Sequence, residues 1–295
     1  MLLEHLTELT EQYLQSSILN SGDRLPGLHV LQKEKVSSFE AQIYNPVICL
    51  ILRGSKETHI GSQSVSLGRG DALLVSHDLP VTSRITKASA DAPYLALILT
   101  LDLGMVRSLY EQVGDAVSDT GHARSLSASA ADPEWLEPVA RYLALTNTPV
   151  DARVLGPLIL KEIHFRLLMS PIGGMLRNLL SVDSHASRIS KAILRIREGF
   201  RNPLVVADLA HLAGMSQSSF HEHFKAVTGT TPLQYQKDLR MIEARNLLES
   251  GVSSVSGAGF EVGYESPNHF SRDYSRKFGC SPKHHRAQAR QTGVV

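Results

Sequence analysis

The last third of the chain repeats one pattern of apolar and polar positions. Apolar residues at i, i+3, i+4 and i+7 begin at Val206 and again at Val255, and they predict the buried face of a short helix. Each run ends at a glycine, Gly214 or Gly263, a residue that adopts left-handed backbone conformations at little cost. The two copies stay in register at a constant offset up to this glycine, which indicates a repeated helical unit.

A second predicted helix follows each glycine. Ser216 and Ser266 occupy favourable N-cap positions, and Gly229 and Gly279 end the two helices, each followed by a proline that prevents resumption. Aromatic residues at i and i+4 mark the inner faces: Phe220 and Phe224, then Phe270 and Tyr274. Helix, glycine turn and helix form the helix-turn-helix pattern, and two matching copies favour DNA binding over an ordinary helical hairpin.

One long helix, from Leu233 to Ser250, is predicted between the two units. Eighteen helical residues span ~27 Å. With the width of the flanking units, the two second helices would lie ~34 Å apart, which is one turn of B-DNA. One chain is therefore predicted to enter two successive major-groove segments on the same face of a duplex.

These motifs resemble those of the AraC/XylS family of bacterial transcription regulators. The stretch from Val206 to Pro232 is similar to the first motif of the family, and the stretch from Phe260 to Pro282 is similar to its more diagnostic second motif. The resemblance implies a seven-helix, all-α DNA-binding domain over 184–290, with helix-turn-helix units at about 203–229 and 252–279. Residues 291–295 are predicted to be a disordered tail. Activation through RNA polymerase is what the family suggests.

The sequence departs from the family pattern at two places. Gly257 and Gly259 lie in the first helix of the second unit, where each costs roughly 1 kcal/mol against alanine, so a less rigid helix is expected. Glu222 lies on the exposed face of the second helix of the first helix-turn-helix unit, the helix expected to read DNA, where related proteins often carry a basic residue.

The outward positions of the two second helices are the candidate DNA contacts, because Asn and Gln pair with adenine, Arg with guanine, and Glu with cytosine N4. Base readout is predicted for Ser218, His221, Glu222, Asn268, Ser271 and Arg272. Phosphate contact is predicted for Lys225, Arg240, Arg245, Arg276 and Lys277.

Charge is distributed unevenly along the chain. The formal net charge is +1, but residues 1–184 carry 15 Lys/Arg and 20 Asp/Glu, whereas residues 185–295 carry 15 and 9. The basic part coincides with the repeat, as phosphate attraction requires. Two cysteines, Cys49 and Cys280, fall in different predicted domains, which fits a reducing cytoplasm. The sequence predicts no secretory signal and no membrane span.

From Leu28 to Asp102 the pattern changes to short β runs punctuated by glycine and proline, which favours a sandwich or small barrel. Short segments here, such as Ile43–Pro46 and Arg53–Lys56, resemble the cupin-like N-terminal domain of one AraC-type subfamily. The predicted fold is α+β and multidomain: a cupin-like β-barrel with helices over 1–115, a helical linker and dimerisation segment over 116–183, and the all-α DNA-binding domain.

The predicted barrel offers few residues for chemistry. His59 and His77 stand alone in their segments, without the His-x-His and carboxylate cluster of metal cupins, so neither a metal nor another cofactor is predicted. A small-molecule effector is the expected ligand, since barrel mouths are common binding sites. The residues that could supply polar contacts are Arg53, His77, Arg84 and Tyr94; surface or packing roles remain open for each of them.

The segment between barrel and repeat is predicted to hold a loop over 114–133 and helices over 134–147 and 151–169. The second helix carries an apolar stripe that could pack on the barrel or pair two subunits into a homodimer: Val154, Leu158, Ile159, Ile163 and Leu167. The sequence therefore predicts a cytoplasmic, non-enzymatic transcription regulator bound to a promoter site. Two alternatives stay open, a metal-dependent cupin enzyme with an appended helical domain and an assembly module of helical hairpins.

Overall fold

The computed structural model describes residues 1–19, 25–61, 63–113, 126–181, 184–251 and 253–291 of the 295-residue chain. They form two compact units, the first built mainly of residues up to Ser187 and the second mainly of residues from Arg188 onwards. This division lies close to the boundary predicted after residue 183. The predicted α+β multidomain fold is confirmed by a first unit of sheets and helices and a second unit made of helices.

In the part of the chain that the structure describes, nine strands form two sheets. The five-stranded sheet has the order β1-β8-β3-β6-β9, and the four-stranded sheet has the order β2-β7-β4-β5. The predicted barrel is therefore a pair of jelly-roll-like sheets and not a closed cylinder. The strands are β1 Leu28–Lys33, β2 Glu40–Tyr44, β3 Val47–Arg53, β4 Ser55–Ile60, β5 Gln63–Leu67, β6 Asp71–Val75, β7 Leu79–Lys87, β8 Tyr94–Thr100 and β9 Leu126–Ala130.

The burial of individual strands follows from their places in the sheets. β3 is central, pairs with both β6 and β8, and buries its five inner residues, as its continuous apolar run requires. In β4, by contrast, Lys56, Thr58 and Ile60 are buried and alternate with partly exposed residues, the period of two expected of a strand with one buried face.

Helices cover the five-stranded sheet and complete the main core of this unit. They are α1 Leu2–Leu19, α2 Leu103–Val113, α3 Pro133–Ala144, α4 Pro149–Met169 and α5 Gly174–Leu180. Leu50, Leu97 and Leu99 of the sheet share one apolar cluster with Trp135 and Ile163 of the helices. Asp102 caps α2, because its Oδ1 accepts hydrogen bonds from the backbone N–H groups of residues 104 and 105 at 2.9 and 3.0 Å.

Two strands contradict or extend the sequence prediction. β9 lies within the segment predicted as a loop over 114–133, of which 114–125 fall outside the described residues. It pairs with β6, Asp71 opposite Ala130, although it consists largely of serine and alanine, small residues that favoured the loop prediction. β2 was not predicted either, because the first two predicted runs were Leu28–Gln32 and Val47–Leu52 and β2 lies between them. Both are outer strands of their sheets, where pairing depends on the neighbouring strand more than on the strand's own composition.

The apolar stripe predicted on the helix over 151–169 is split by the structure. Ile159, Ile163 and Leu167 of α4 are buried in the main core. Val154 and Leu158 are 60% and 63% exposed. The helix therefore packs on its own unit with one part of the stripe and presents another part to solvent.

Seven helices make up the second unit as described. They are α6 His185–Gly199, α7 Val206–Leu212, α8 Gln217–Thr228, α9 Pro232–Glu249, α10 Val255–Glu261, α11 Pro267–Phe278 and α12 Pro282–Gln291. The predicted long helix is α9, and the predicted tail lies outside the described residues from 292 onwards. In the ranges that the structure describes, no helix has the length and apolarity needed to cross a membrane.

Candidate nucleic-acid interface

The two predicted turns have the same backbone geometry. Gly214 and Gly263 both have positive φ, 62° and 87°, and each follows its short helix as the C′ residue. The next residue donates its N–H to the carbonyl five positions earlier, from Met215 to Ala210 and from Tyr264 to Gly259, at 2.9 Å in both units. This is the Schellman arrangement, which satisfies the last carbonyl groups of a helix. Between the glycine and the cap serine, the second helix-turn-helix unit has one residue more than the first, and the shared turn geometry identifies this extra residue as Glu265.

The two reading helices, α8 and α11, also begin and end alike. Ser216 Oγ accepts the N–H of residue 219 at 3.2 Å, and Ser266 Oγ accepts the N–H of residue 269 at 3.4 Å. Gly229 and Gly279 end the helices with φ of 73° and 72°. Because the caps fix both ends, the side chains between them are held in defined directions.

Each reading helix packs through a pair of aromatic rings and is covered by one further ring from the next helix. Phe220 and Phe224 have ring centroids 5.5 Å apart, and Phe270 and Tyr274 have centroids 5.6 Å apart. The covering rings meet the second aromatic edge-on: Tyr235 at 5.7 Å from Phe224, and His285 at 5.8 Å from Tyr274. Tyr235 and His285 stand at equivalent positions of the two copies.

The six predicted base-reading residues lie at three equivalent positions of the two helices. Ser218, His221 and Glu222 are exposed on α8, and Asn268 and Arg272 are exposed on α11, with Ser271 half-buried between them. Because i, i+3 and i+4 share one face of a helix, each set presents a single edge to a groove. Their contact with bases stays a prediction. The first set carries a carboxylate where the second carries a guanidinium.

The residues predicted to contact phosphate differ in their exposure and in the ion pairs that their side chains form. Lys225 is exposed, and Arg276 is 70% exposed and pairs with Asp273. Arg245 binds Glu249 one turn along its own helix at 2.5 Å, and Lys277 binds Asp238 of α9 at 2.7 Å. For these four residues, contact with phosphate stays a prediction.

Arg240 has a different environment, which the sequence did not reveal. Its guanidinium donates to four backbone carbonyl oxygens: those of Phe200 (2.7 Å), Asn202 (2.9 Å), Gly263 (3.0 Å) and Arg201 (3.1 Å). Gln236, one turn earlier on α9, donates to two of the same oxygens at 2.9 and 2.7 Å. We call these two side chains the α9 clamp. Since the donors of Arg240 are engaged inside the unit, its predicted phosphate contact gains no support from the structure.

The α9 clamp fastens the end of α6 to the turn of the second unit. The backbone of Gly263 runs so close to Arg201 that an added Cβ would meet its carbonyl oxygen at 2.0 Å. Gly259 is constrained less severely, because a Cβ there would approach the ring of Phe270 at 3.0 Å. The glycine expected to loosen α10 thus permits close packing of α10 against α11.

Two ion pairs cross between α9 and α11. Lys237 binds Asp273 at 2.7 Å, and Lys277 binds Asp238 at 2.7 Å. Tyr264 also donates to Asp273 at 3.0 Å. Burial alone would raise the pKa of the Asp273 carboxyl, but the hydrogen bonds from Lys237 and Tyr264 hold that pKa below its ordinary value. Asp273 is therefore an anion that links three elements of the second unit.

The four predicted effector residues do not point the same way. Arg53 binds Glu11 of α1 at 2.6 Å, and Arg84 binds Glu57 at 2.7 Å with its guanidinium 4.5 Å from the ring centre of Phe39. His77 and Tyr94 are buried, and burial lowers the pKa of His77 to about 4. Among the described residues, no three His, Cys, Asp or Glu side chains are grouped so as to hold a metal ion.

The molecule combines one unit built on two β-sheets with a helical unit that contains two helix-turn-helix motifs. This combination defines the class of two-domain DNA-binding regulators. The profile of the AraC-type transcriptional regulator N-terminus matches residues 24–175, and a helix-turn-helix domain profile matches residues 209–288. The chain belongs to the AraC-type transcriptional regulators, as the sequence resemblance indicated.

Individual relatives agree with this assignment. The chain is 26% identical over 165 residues to ExsA of Pseudomonas aeruginosa, a match that covers 51% of this chain and 59% of ExsA. It is 23% identical over 252 residues to the transcriptional activator VirF of Yersinia enterocolitica, covering 83% and 89%. The fold resembles that of fatty-acid-bound ToxT from Vibrio cholerae, with a TM-score of 0.53, 12% identity and coverage of 88% and 93%.

Proposed function

We propose that this protein is a sequence-specific DNA-binding transcription regulator that reads two neighbouring major-groove segments with α8 and α11. The observation that carries the proposal is the equivalence of the two exposed faces. Ser218 and Asn268, and likewise Glu222 and Arg272, occupy matching positions on helices whose turns, caps and cores coincide. The same scaffold thus presents two different sets of hydrogen-bonding groups, as reading an asymmetric site requires.

The finer points of the function follow the relatives. VirF is named a transcriptional activator, so activation through contact with RNA polymerase is proposed for this chain. The relatives are bacterial regulators, and the proposed site of action is the bacterial cytoplasm, where promoter DNA lies. No enzymatic step is part of the proposal. A metal-dependent cupin enzyme would instead show bound metal by elemental analysis.

A homodimer is proposed from the free side of α4. Val150, Val154 and Leu158, at successive i+4 positions, are 70%, 60% and 63% exposed. Such a row on one helix face is the pattern of a helix that pairs with another. Sedimentation of Leu158→Lys, with Leu212→Lys as an exposed control in the other unit, tests this: only the α4 variant is expected to become monomeric.

Control by a small molecule is proposed for the first unit. ToxT, whose fold this chain shares, binds an unsaturated fatty acid. The buried polar side chains of the sheets, such as Tyr94 and His77, support a ligand-receiving role.

Selection of bound sequences from random duplexes by the full-length protein tests the proposed function. We expect an enriched site with two differing half-sites about one helical turn apart, bound with an affinity that falls steeply as salt rises. Arg272→Ala should alter the enriched bases in one half-site, and Glu222→Ala those in the other. A protein that folds well but enriches no sequence at any ionic strength contradicts the proposal.

A further inference from the structure

The space between the two sheets contains a lysine. β4 alternates, so Lys56 and Thr58 share the face that is turned away from solvent, and Lys56 is 6% exposed. Lysine is rarely buried to this extent unless its charge is balanced. The role of Lys56 therefore depends on which groups surround its ammonium.

The described partner of Lys56 is a hydroxyl group and not a carboxylate. Its Nζ donates to the hydroxyl of Tyr44 and lies 4.9 Å from the centre of the same ring. Tyr44 in turn lies 3.3 Å, oxygen to oxygen, from Ser83. Among the described residues Lys56 forms no ion pair, and Glu40, exposed at the start of β2, attracts its ammonium less than Tyr44 and Cys49 do.

Lys56 nevertheless carries its charge at neutral pH. Burial opposes the ammonium, but Tyr44 and Cys49 hold the pKa of Lys56 above its ordinary value. Among the described residues no carboxylate pairs directly with this buried ammonium, and such an arrangement is costly unless an anion completes it.

Two further buried hydroxyl groups have no hydrogen-bond partner among the residues that the structure describes. They belong to Thr58, on the same face of β4 as Lys56, and to Tyr94, which is fully buried in β8. Tyr94 lies beside the start of β4, since a Cβ added at Gly54, two residues before Lys56, would meet the ring of Tyr94 at 3.1 Å. Buried hydroxyl groups without partners each cost free energy, so a ligand that accepts their hydrogen bonds is favoured.

We propose that Lys56, Tyr44, Thr58 and Tyr94 form a binding site for a small organic acid, which they hold through its carboxylate. The ammonium balances one negative charge, and the hydroxyl groups of Thr58 and Tyr94 donate to the carboxylate oxygens. A single ammonium matches a monocarboxylate better than a phosphate dianion, which calls for further cationic groups. The inference rests on the proposed regulatory function and names the ligand class of its first unit.

The test compares carboxylates with uncharged molecules of the same shape. Thermal unfolding of the full-length protein is followed with benzoate, hexanoate and decanoate, each paired with its own amide. We expect at least one acid to raise the Tm by several degrees, since a ligand of the folded state stabilises it, and its amide to leave the Tm unchanged. Titration calorimetry of that acid then gives its Kd for each variant.

Lys56→Met and Tyr94→Phe are the decisive variants. Lys56→Met should weaken binding of the acid at least tenfold, about the contribution of one charged hydrogen bond, and should keep or raise the Tm of the ligand-free protein. Tyr94→Phe should weaken binding less and tests the site independently if the first variant folds poorly. Lys87→Met, at an exposed lysine of β7, is the matched control and should bind as the wild type does.

Two results would overturn the inference: no acid stabilising the wild type more than its amide, or an acid stabilising Lys56→Met equally well. A large drop in the Tm of Lys56→Met without any preference for acids would identify Lys56 as a structural anchor of Tyr44. Binding to the selected duplex is measured in parallel without any acid. A wild-type protein that binds the duplex but no acid refutes this site alone, whereas one that binds no duplex refutes the proposed function.

Discussion

The two helix-turn-helix units share their internal structure but not their attachment to the rest of the domain. Both have a Schellman turn, a serine cap, a left-handed terminal glycine and two buried aromatic residues. The first helix-turn-helix unit, α7 and α8, contacts α9 through the edge-on rings of Phe224 and Tyr235. The second is held to α9 by the crossed ion pairs of Asp238 and Asp273 and by the α9 clamp.

The shared features account for the folding of each helix-turn-helix unit. The features that differ account for the orientation of its reading helix. The shared residues are local signals and are sufficient to form the hairpin. The unshared residues are polar groups from distant positions, and hydrogen bonds have narrower angular limits than apolar contacts. The second reader is therefore expected to be fixed more rigidly in direction, and changes at equivalent positions should have unequal effects in the two units.

The largest difference in the free energy of unfolding between equivalent substitutions is expected at the turn glycines of the two helix-turn-helix units. Gly214→Ala places a Cβ in open space at a φ of 62°, so the cost is about 1–2 kcal/mol of backbone strain. Gly263→Ala adds a Cβ 2.0 Å from the carbonyl oxygen of Arg201, which forces a backbone shift and raises the cost to roughly 3 kcal/mol or more. Urea unfolding of both variants measures the difference. Equal losses would show that the second turn is not fastened to α6.

Removal of the α9 clamp should have the next largest effect. Arg240→Met leaves four backbone carbonyl groups without their charged donor and should lower the free energy of unfolding by about 2–3 kcal/mol. Arg272→Met is the control, because the side chain of Arg272 is exposed on α11 and its truncation should cost about 0.5 kcal/mol or less. Similar values for the two variants would contradict the structural role of Arg240.

DNA binding should reveal the opposite charges at the matching reading positions. Arg272→Ala is expected to lose about 1–3 kcal/mol of discrimination at one base pair of the second half-site. Glu222→Ala should lose discrimination at one base pair of the first half-site but raise affinity for every sequence, since a negative charge near phosphates is removed.

Competition between single-base variants of the selected duplex measures both effects. Arg276→Ala serves as the control, because loss of a phosphate contact should weaken all sequences alike and lower the salt slope by about one. If cognate and substituted duplexes kept their affinity ratio in Arg272→Ala, that residue would not read bases.

The sequence predicted most of the second unit because its signals are local. Glycine, serine and proline mark each turn and cap directly, so both reading helices, and the faces of Phe220 and Phe270, agree with the structure. The attachment of the units was not predictable in this way. Arg240 reaches backbone oxygens about forty positions earlier in the chain, and no pattern of residue types reports a contact between a side chain and a distant carbonyl group.

The first unit shows the same limit for its sheets and its candidate pocket. Polarity alone suggested Arg53 and Arg84 as ligand contacts, but both bind carboxylates of this unit. Lys56 went unnoticed because a lysine in a short polar strand resembles a solvated one until the register of β4 turns it inward. The alternation of β4 was the signal available in the sequence, since it places Lys56 on the same face as Ile60.

The smallest predicted effect concerns pH and the two covering rings, Tyr235 and His285. Burial, and then the charge of Arg245, lower the pKa of His285, while Glu249 opposes the shift and Tyr274 contacts the ring at 2.9 Å from Nδ1. Because the folded pKa lies below the unfolded value of about 6.5, protonation favours the unfolded state. The contribution of His285 to stability is complete above pH 6.5 and is lost as the pH falls below it.

His285→Tyr, which copies the first helix-turn-helix unit, should flatten the pH dependence of the free energy of unfolding in this range relative to the wild type. His284→Tyr, at the exposed neighbouring position, is the control, and an equal flattening in both variants would show that the covering ring of the second unit is not the titrating group.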